Sequence, residues 1–325
     1  MSTPNRLQSE SAGEQHEGSR GHTVDIVSIG EPMVEFNQTR AGEPSYLQGF
    51  GGDSSNMAIA AQRSGARAAY LTRLGDDEFG RMLLALWQRE GVDTRGVGID
   101  RDAHTAVYFV THGPQGHVFS YLRAGSAASR LAPGDLPLEL VRSARFVHAS
   151  GISMAISSSA CDAVLAAFEV ARAAGAQVSF DSNLRLKLWP LARARALIGA
   201  AAGLADYFFP SIEDARTLSG LEDAQAIVDW AHGLGAKTVF LKLGPEGVIV
   251  SDGTQRARIA GFTVNAVDAT GAGDCFCGAT LARLVAGDSV LEAARYANAA
   301  AALATTGFGA VAPLPRPEAV RALLG

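Results

Sequence analysis

From Thr23 onward the chain alternates short strand-like runs with helix-like runs. That rhythm limits the possible architectures more than any other feature. Residues 23–29 read as a buried strand. Residues 54–64 read as a helix stopped at Gly65, 68–74 as a strand, and 78–89 as a helix stopped at Gly91. Residues 145–150 form the next strand, followed by an alanine-rich helix over 159–174. Further short strands are expected at 177–181, 207–210 and 238–243, with helical runs between them. Such alternation predicts a mostly parallel sheet covered by helices on both faces, joined by right-handed crossovers. Two regions break the rhythm. Residues 32–48 carry short apolar–polar stretches without a helix. Residues 104–123 read as a hairpin, with strands at 106–110 and 118–122 around Gly113-Pro114-Gln115-Gly116. Together they predict a small β lid over one edge of the main sheet.

The chemistry concentrates in Val267-Asp268-Ala269-Thr270-Gly271-Ala272-Gly273-Asp274. A strand-like run, 262–267, enters this turn, and a helix-like run, 275–286, leaves it. A glycine-rich turn entering a helix presents free N–H groups at the positive end of the helix dipole, which is an anion cradle. Asp274 would be repelled by a bound phosphate, so its place in the cradle points to chemistry. It is the candidate base for a hydroxyl attacking a phosphoryl group, with the N–H groups of Gly271, Ala272 and Gly273 facing the transferred charge. No Gly-x-x-x-x-Gly-Lys-Ser/Thr string occurs elsewhere to hold a nucleotide.

Composition narrows the class. The chain has 325 residues, 47% hydrophobic and 19% charged, with a net charge of −5. That is ample for a large core and gives no sign of a nucleic-acid surface. No apolar run is long enough to span a membrane. Cys161, Cys275 and Cys277 make neither a disulfide framework nor a zinc site, which fits buried thiols in a reducing cytoplasm. Residues 1–22 are polar, lack the apolar core of a signal peptide, and read as a disordered leader before one domain over 23–325.

These residues match a family. The C-terminal turn resembles the second signature of the ribokinase-like (PfkB) carbohydrate kinases, and Gly51-Gly52-Asp53-Ser54-Ser55-Asn56-Met57-Ala58 resembles their first. The resemblance covers essentially residues 23–320. It implies an α/β fold, a ribokinase-like αβα sandwich with a small β-sheet lid, and ATP-dependent phosphorylation of a sugar hydroxyl. Finer strings resemble one branch, the 2-keto-3-deoxygluconate kinases: Gly30-Glu31-Pro32-Met33-Val34-Glu35, Tyr121-Leu122-Arg123-Ala124-Gly125-Ser126-Ala127, Ser150-Gly151-Ile152-Ser153, and Phe180-Asp181-Ser182-Asn183-Leu184-Arg185-Leu186-Lys187-Leu188-Trp189.

The resemblance carries roles onto matching positions. Gly52, Asp53 and Asn56 would meet the sugar, with Tyr108, Tyr121 and Arg123 from the lid and Ile152 and Arg185 from the main domain. Arg123 and Arg185 would grip a substrate carboxylate, for which the guanidinium fork is suited. Asn183, Lys242, Gly244, Gly247 and Asn298 would serve the nucleotide, beside Gly271 and Gly273. Mg²⁺ is expected with ATP, and a monovalent cation near Asp268 and the 307–309 loop. Much of the family carries Asn-x-x-Glu for magnesium; here the string taken to match, Pro210-Ser211-Ile212-Glu213, keeps only Glu213. The resulting expectation is a 2-keto-3-deoxygluconate kinase making the 6-phosphate. The alternatives are a fructokinase or other ketose kinase, and a sugar-binding regulator without catalysis. No nucleic-acid or membrane partner is expected, and a second copy would pair through the lid.

Overall fold

The computed structural model describes residues 23–113 and 116–325. The expected leader over 1–22, and Pro114 and Gln115 of the expected hairpin turn, lie outside the described residues. The strands are β1 (Val24–Ile29), β2 (Met33–Gln38), β3 (Tyr46–Gly51), β4 (Ala68–Gly75), β5 (Asp93–Asp100), β6 (Val107–Gly113), β7 (Gly116–Leu122), β8 (Ala144–Ser150), β9 (Gln177–Asp181), β10 (Tyr207–Phe209), β11 (Thr238–Lys242), β12 (Val248–Ser251) and β13 (Arg256–Ile259). The helices are α1 (Asp53–Arg63), α2 (Glu78–Glu90), α3 (Leu138–Ser143), α4 (Gly151–Ala155), α5 (Ser158–Ala173), α6 (Leu191–Leu204), α7 (Ile212–Ser219), α8 (Ala224–Gly233), α9 (Ala272–Val285), α10 (Val290–Ala304) and α11 (Pro317–Leu324).

Nine strands form the main sheet in the order β13-β12-β11-β10-β9-β8-β1-β4-β5. Seven run parallel, and β12 and β13 close one edge antiparallel. Both faces are buried, so the strands read as continuous apolar runs. Alternate residues feed two cores. Val27, Val147 and Phe180 pack with Phe168 of α5 and Ile198 of α6, while Ile26 and Phe146 pack with Met57 of α1 and Phe276 of α9. No described helix is long and apolar enough to cross a membrane.

The two arrhythmic regions form one second sheet, ordered β3-β2-β6-β7. Residues 32–48 contribute more than expected: β2 and β3 pair antiparallel, and β2 pairs parallel with β6. Two expectations need correction. The run 262–267 is not a strand; it follows β13, the edge of the sheet, and leaves it as irregular backbone. Conversely, β5 was missed. Its glycines weaken the apolar pattern, yet Gly96 lets it lie close on β4: a Cβ there would meet Tyr70 O at 2.7 Å.

Candidate active site

The chain departs leftward and rightward in the sheet from β1 and β8, and ligands in open α/β sheets bind at the carboxyl ends of strands where the order reverses. A cleft of about 930 Å³ opens there, between those strand ends and the lid.

One wall comes from the crossing of α1 and α9. A Cβ on Gly278 would lie 2.4 Å from Met57 O and 2.8 Å from Ala61 N, so only glycine lets the two backbones meet. Their N-termini therefore open on the same space. Asn56 Nδ2 donates to Asp274 Oδ2 at 2.8 Å, and Asn183 Nδ2 donates to Asp53 Oδ2 at 2.7 Å. Asn183 holds φ at 27°, the only non-glycine positive φ among the described residues. Strain of this kind persists where surrounding structure enforces it, often at functional sites. Gly52 enters α1 with φ 105°, and a Cβ there would lie 2.4 Å from Glu31 O. Its missing side chain thus makes room for the protein's own backbone.

Helix α9 begins at Ala272, three residues earlier than expected, with Gly271 at φ 79° as its entry. Gly273 and Asp274 therefore belong to its first turn, where an acid is favourable. The cradle also changes in detail. The Ala272 N–H is taken up by Ala269 O at 3.2 Å, and Ala272 does not line the cleft, so its expected role is withdrawn. The N–H groups of Gly273 and Asp274 have no acceptor among the described residues. Asp274 is pushed up to about 7, first by burial and then by the neighbouring Asp53 carboxylate, against the donation from Asn56.

The lid supplies the roof. Tyr108 and Tyr121 face each other across β6 and β7 with ring centroids 5.7 Å apart, and Phe119 stacks beside them. The Tyr108 hydroxyl donates to Glu35. Arg123 pairs with Glu31, which is 1% exposed and also accepts from Ser126 Oγ at 2.6 Å. Ile152 comes from α4 at the end of β8. Arg185 lines the cleft but is exposed, its Nη1 donating to Leu184 O at 2.8 Å.

Also lining the cleft, Lys242 Nζ contacts Asp181 Oδ2 at 2.6 Å. Most expected residues thus share one cleft, Gly244 included. Gly247 and Asn298 do not line it. Gly247 turns at φ 100° against the backbone of Ile259, and Asn298 donates to Ile259 O and Ala260 O at 3.2 Å each. The alanine-rich α10 does pack on α9 as expected. Asp268 ties its own loop, accepting from Thr270 N at 2.9 Å and Gly309 N at 2.9 Å.

Sequence reasoning missed Glu31, Glu35, Phe119, Asp181, Ser211 and Asp214. The last two stand one residue along from the string taken to match the magnesium motif. Glu213 is exposed at the rim, whereas Asp214 turns inward and accepts from Ser182 Oγ at 2.8 Å and Leu184 N at 3.0 Å, with Ser211 capping the helix through Asp214 N. No group of three or more His, Cys, Asp or Glu residues among the described residues is arranged to hold a metal. Hydrated Mg²⁺ needs only one or two carboxylates and ATP's own phosphates, which Asp214 with Glu213 can meet.

The pfkB family carbohydrate kinase model matches residues 24–317. A probable fructokinase-4 from Arabidopsis thaliana is 38% identical over 94% of this chain and 98% of the relative. The crystal structure of a PfkB protein from Polaromonas sp. JS666 superimposes with a TM-score of 0.84 at 32% identity, covering 92% of this chain and 99% of that one. A fructokinase with bound ATP from Xylella fastidiosa superimposes with a TM-score of 0.86 at 27% identity, covering 92% and 98%. These relatives do not support the 2-keto-3-deoxygluconate branch. The string that most strongly suggested it is partly structural, since Leu184 and Trp189 are core residues. The chain belongs to the pfkB family of carbohydrate kinases and is an ATP-dependent sugar kinase.

Proposed function

We infer that the enzyme phosphorylates a neutral ketose, with fructose the type substrate, rather than a sugar acid. The observation that carries this reading is the Arg123–Glu31 pair. Arg123 was expected to await a substrate carboxylate, but its charge is already opposed by a buried carboxylate of the protein itself. An anionic substrate would have to face Glu31 as well. The paired guanidinium still offers N–H donors to hydroxyls. Arg185, exposed and held on a carbonyl, adds no buried positive charge. The fructokinase relatives support the same choice.

In the reaction, a sugar hydroxyl attacks the γ-phosphorus of ATP and the bond to the ADP oxygen breaks. Asp274 takes the hydroxyl proton, and Asn56 fixes the carboxylate so that one oxygen remains for it. The N–H groups of Gly273 and Asp274 face charge on the moving phosphoryl group. Asp214 with Glu213 would hold the Mg²⁺ of the ATP complex, which would supply neutralisation of phosphate charge. The lid aromatics cover the sugar and exclude water, which competes as acceptor. Steady-state rates test the choice of substrate. Fructose should exceed 2-keto-3-deoxygluconate at least tenfold in kcat/KM. The reverse order would restore the sugar-acid reading.

A further inference from the structure

The parallel strands β9 and β11 end at the same edge of the sheet with β10 between them, so Asp181 and Lys242, their last residues, start roughly 10 Å apart. Their side chains meet over the end of β10, whose last residue, Phe209, pairs with Asp181. Beyond it Pro210 O accepts from Lys242 N at 2.8 Å and Ser211 bridges to Lys242, and the lysine side chain reaches over this segment to Asp181. The ammonium arrives against the first turn of α9: a Cβ on Gly273 would lie 3.4 Å from Lys242 Nζ. A cation at the positive end of a helix is the unfavourable arrangement. Here a buried carboxylate holds it in place, and an anion entering between the ammonium and the free N–H groups of Gly273 and Asp274 would relieve it. Burial opposes the Lys242 charge, but Asp181 and the other nearby acids outweigh it and keep the group protonated.

We propose that Lys242 is a catalytic residue whose ammonium stabilises the negative charge of the phosphoryl group in flight, and that Asp181 is its positioning residue. This goes beyond a nucleotide contact. It gives the chain, which lacks a P-loop lysine, a fixed cation beside the first turn of α9. Lys242 neither gains nor loses a proton; the hydroxyl proton goes to Asp274 and the electron pair of the broken bond to ADP. Other groups surround the pair: Cys277 Sγ lies 3.4 Å from Asp181 Oδ2, Asp214 adds negative charge from α7, and Asp274 and the buried His148 lie within electrostatic reach of Lys242.

The proposal rests on sugar-kinase activity and not on which sugar is accepted, so the assay uses whichever sugar the wild type turns over fastest. Lys242→Met should lower kcat about 10²-fold, as loss of one preorganised donor does, with sugar KM within threefold. It should weaken ATP and ADP binding while leaving adenosine binding unchanged. Lys242→Arg should recover at least tenfold of the loss. Asp181→Asn should lower kcat about tenfold, and the Lys242→Met/Asp181→Asn double variant should be no worse than Lys242→Met alone within threefold. Removing one partner of a buried pair can unfold a protein, whereas removing both charges is far better tolerated; the double variant therefore keeps the test open. A folded single or double variant at Lys242 with kcat within threefold of wild type would overturn the role of Lys242. Additive losses in the double variant would overturn that of Asp181.

Discussion

Asp274→Asn tests the centre of the mechanism, because the same substitution should move activity and stability in opposite directions. The amide keeps the size of the carboxylate and its place in the first turn of α9, but it cannot take a proton. Loss of a general base costs about 10²–10⁴-fold in kcat. In the wild type, Asp274 is pushed up to about 7 by burial and by Asp53, so kcat/KM should fall about tenfold per pH unit below that value, as expected for a base lost by protonation. The same shift opposes folding. The folded protein binds the Asp274 proton more tightly than the unfolded chain, whose ordinary value is 3.8. Stability is therefore highest below pH 4 with respect to this group and declines as pH rises from about 4 to 7. Roughly three units correspond to at most about 4 kcal/mol, reduced by water in the cleft. Asp274→Asn removes that penalty. Its Tm should rise at pH 8 and change little at pH 4. The assay pairs ADP release under saturating sugar with thermal melts at both pH values. A variant retaining more than half of wild-type kcat, or one losing activity with no gain in Tm at pH 8, would refute the reasoning.

Other consequences are open to measurement. Glu31→Ala leaves Arg123, only 14% exposed, without its partner; uncompensated buried charge costs about 3–5 kcal/mol, so a denaturant titration showing no loss would disprove the pairing. Gly278→Val places a side chain against Met57 O and should destabilise by about 1–3 kcal/mol; because it parts Asn56 from Asp274, kcat should also drop in the protein that remains folded, and unchanged kinetics would count against the crossing as the support of the base. Fructose at saturation should slow amide exchange in β6 and β7 as the lid closes, and exchange identical with and without sugar would argue for a static roof.

What the sequence discloses depends on how local the cause is. The strand–helix rhythm arises within windows of a few residues, and it located most of the parallel sheet. β5 escaped because Gly96 and Gly98 blur its pattern; it is held by pairing with β4, which no local window contains. The run 262–267 has the composition of a strand but follows the sheet's edge strand, and composition cannot reveal that no further pairing exists there. The site divides along the same line. Gly271, Gly273 and Asp274 are contiguous, and a glycine turn entering a helix has a local physical meaning. Arg123 was equally visible as a residue, yet its meaning lies in Glu31, in the connection between β1 and β2, brought opposite only by the fold. A cation counted in the sequence suggests an anionic ligand; the same cation facing a buried carboxylate leaves the pocket without that demand. Substrate charge is thus a property of pairings across the fold, and it is the step where the branch resemblance and the two arginines pointed to a sugar acid, while the Arg123–Glu31 pair is the ground for proposing a neutral ketose.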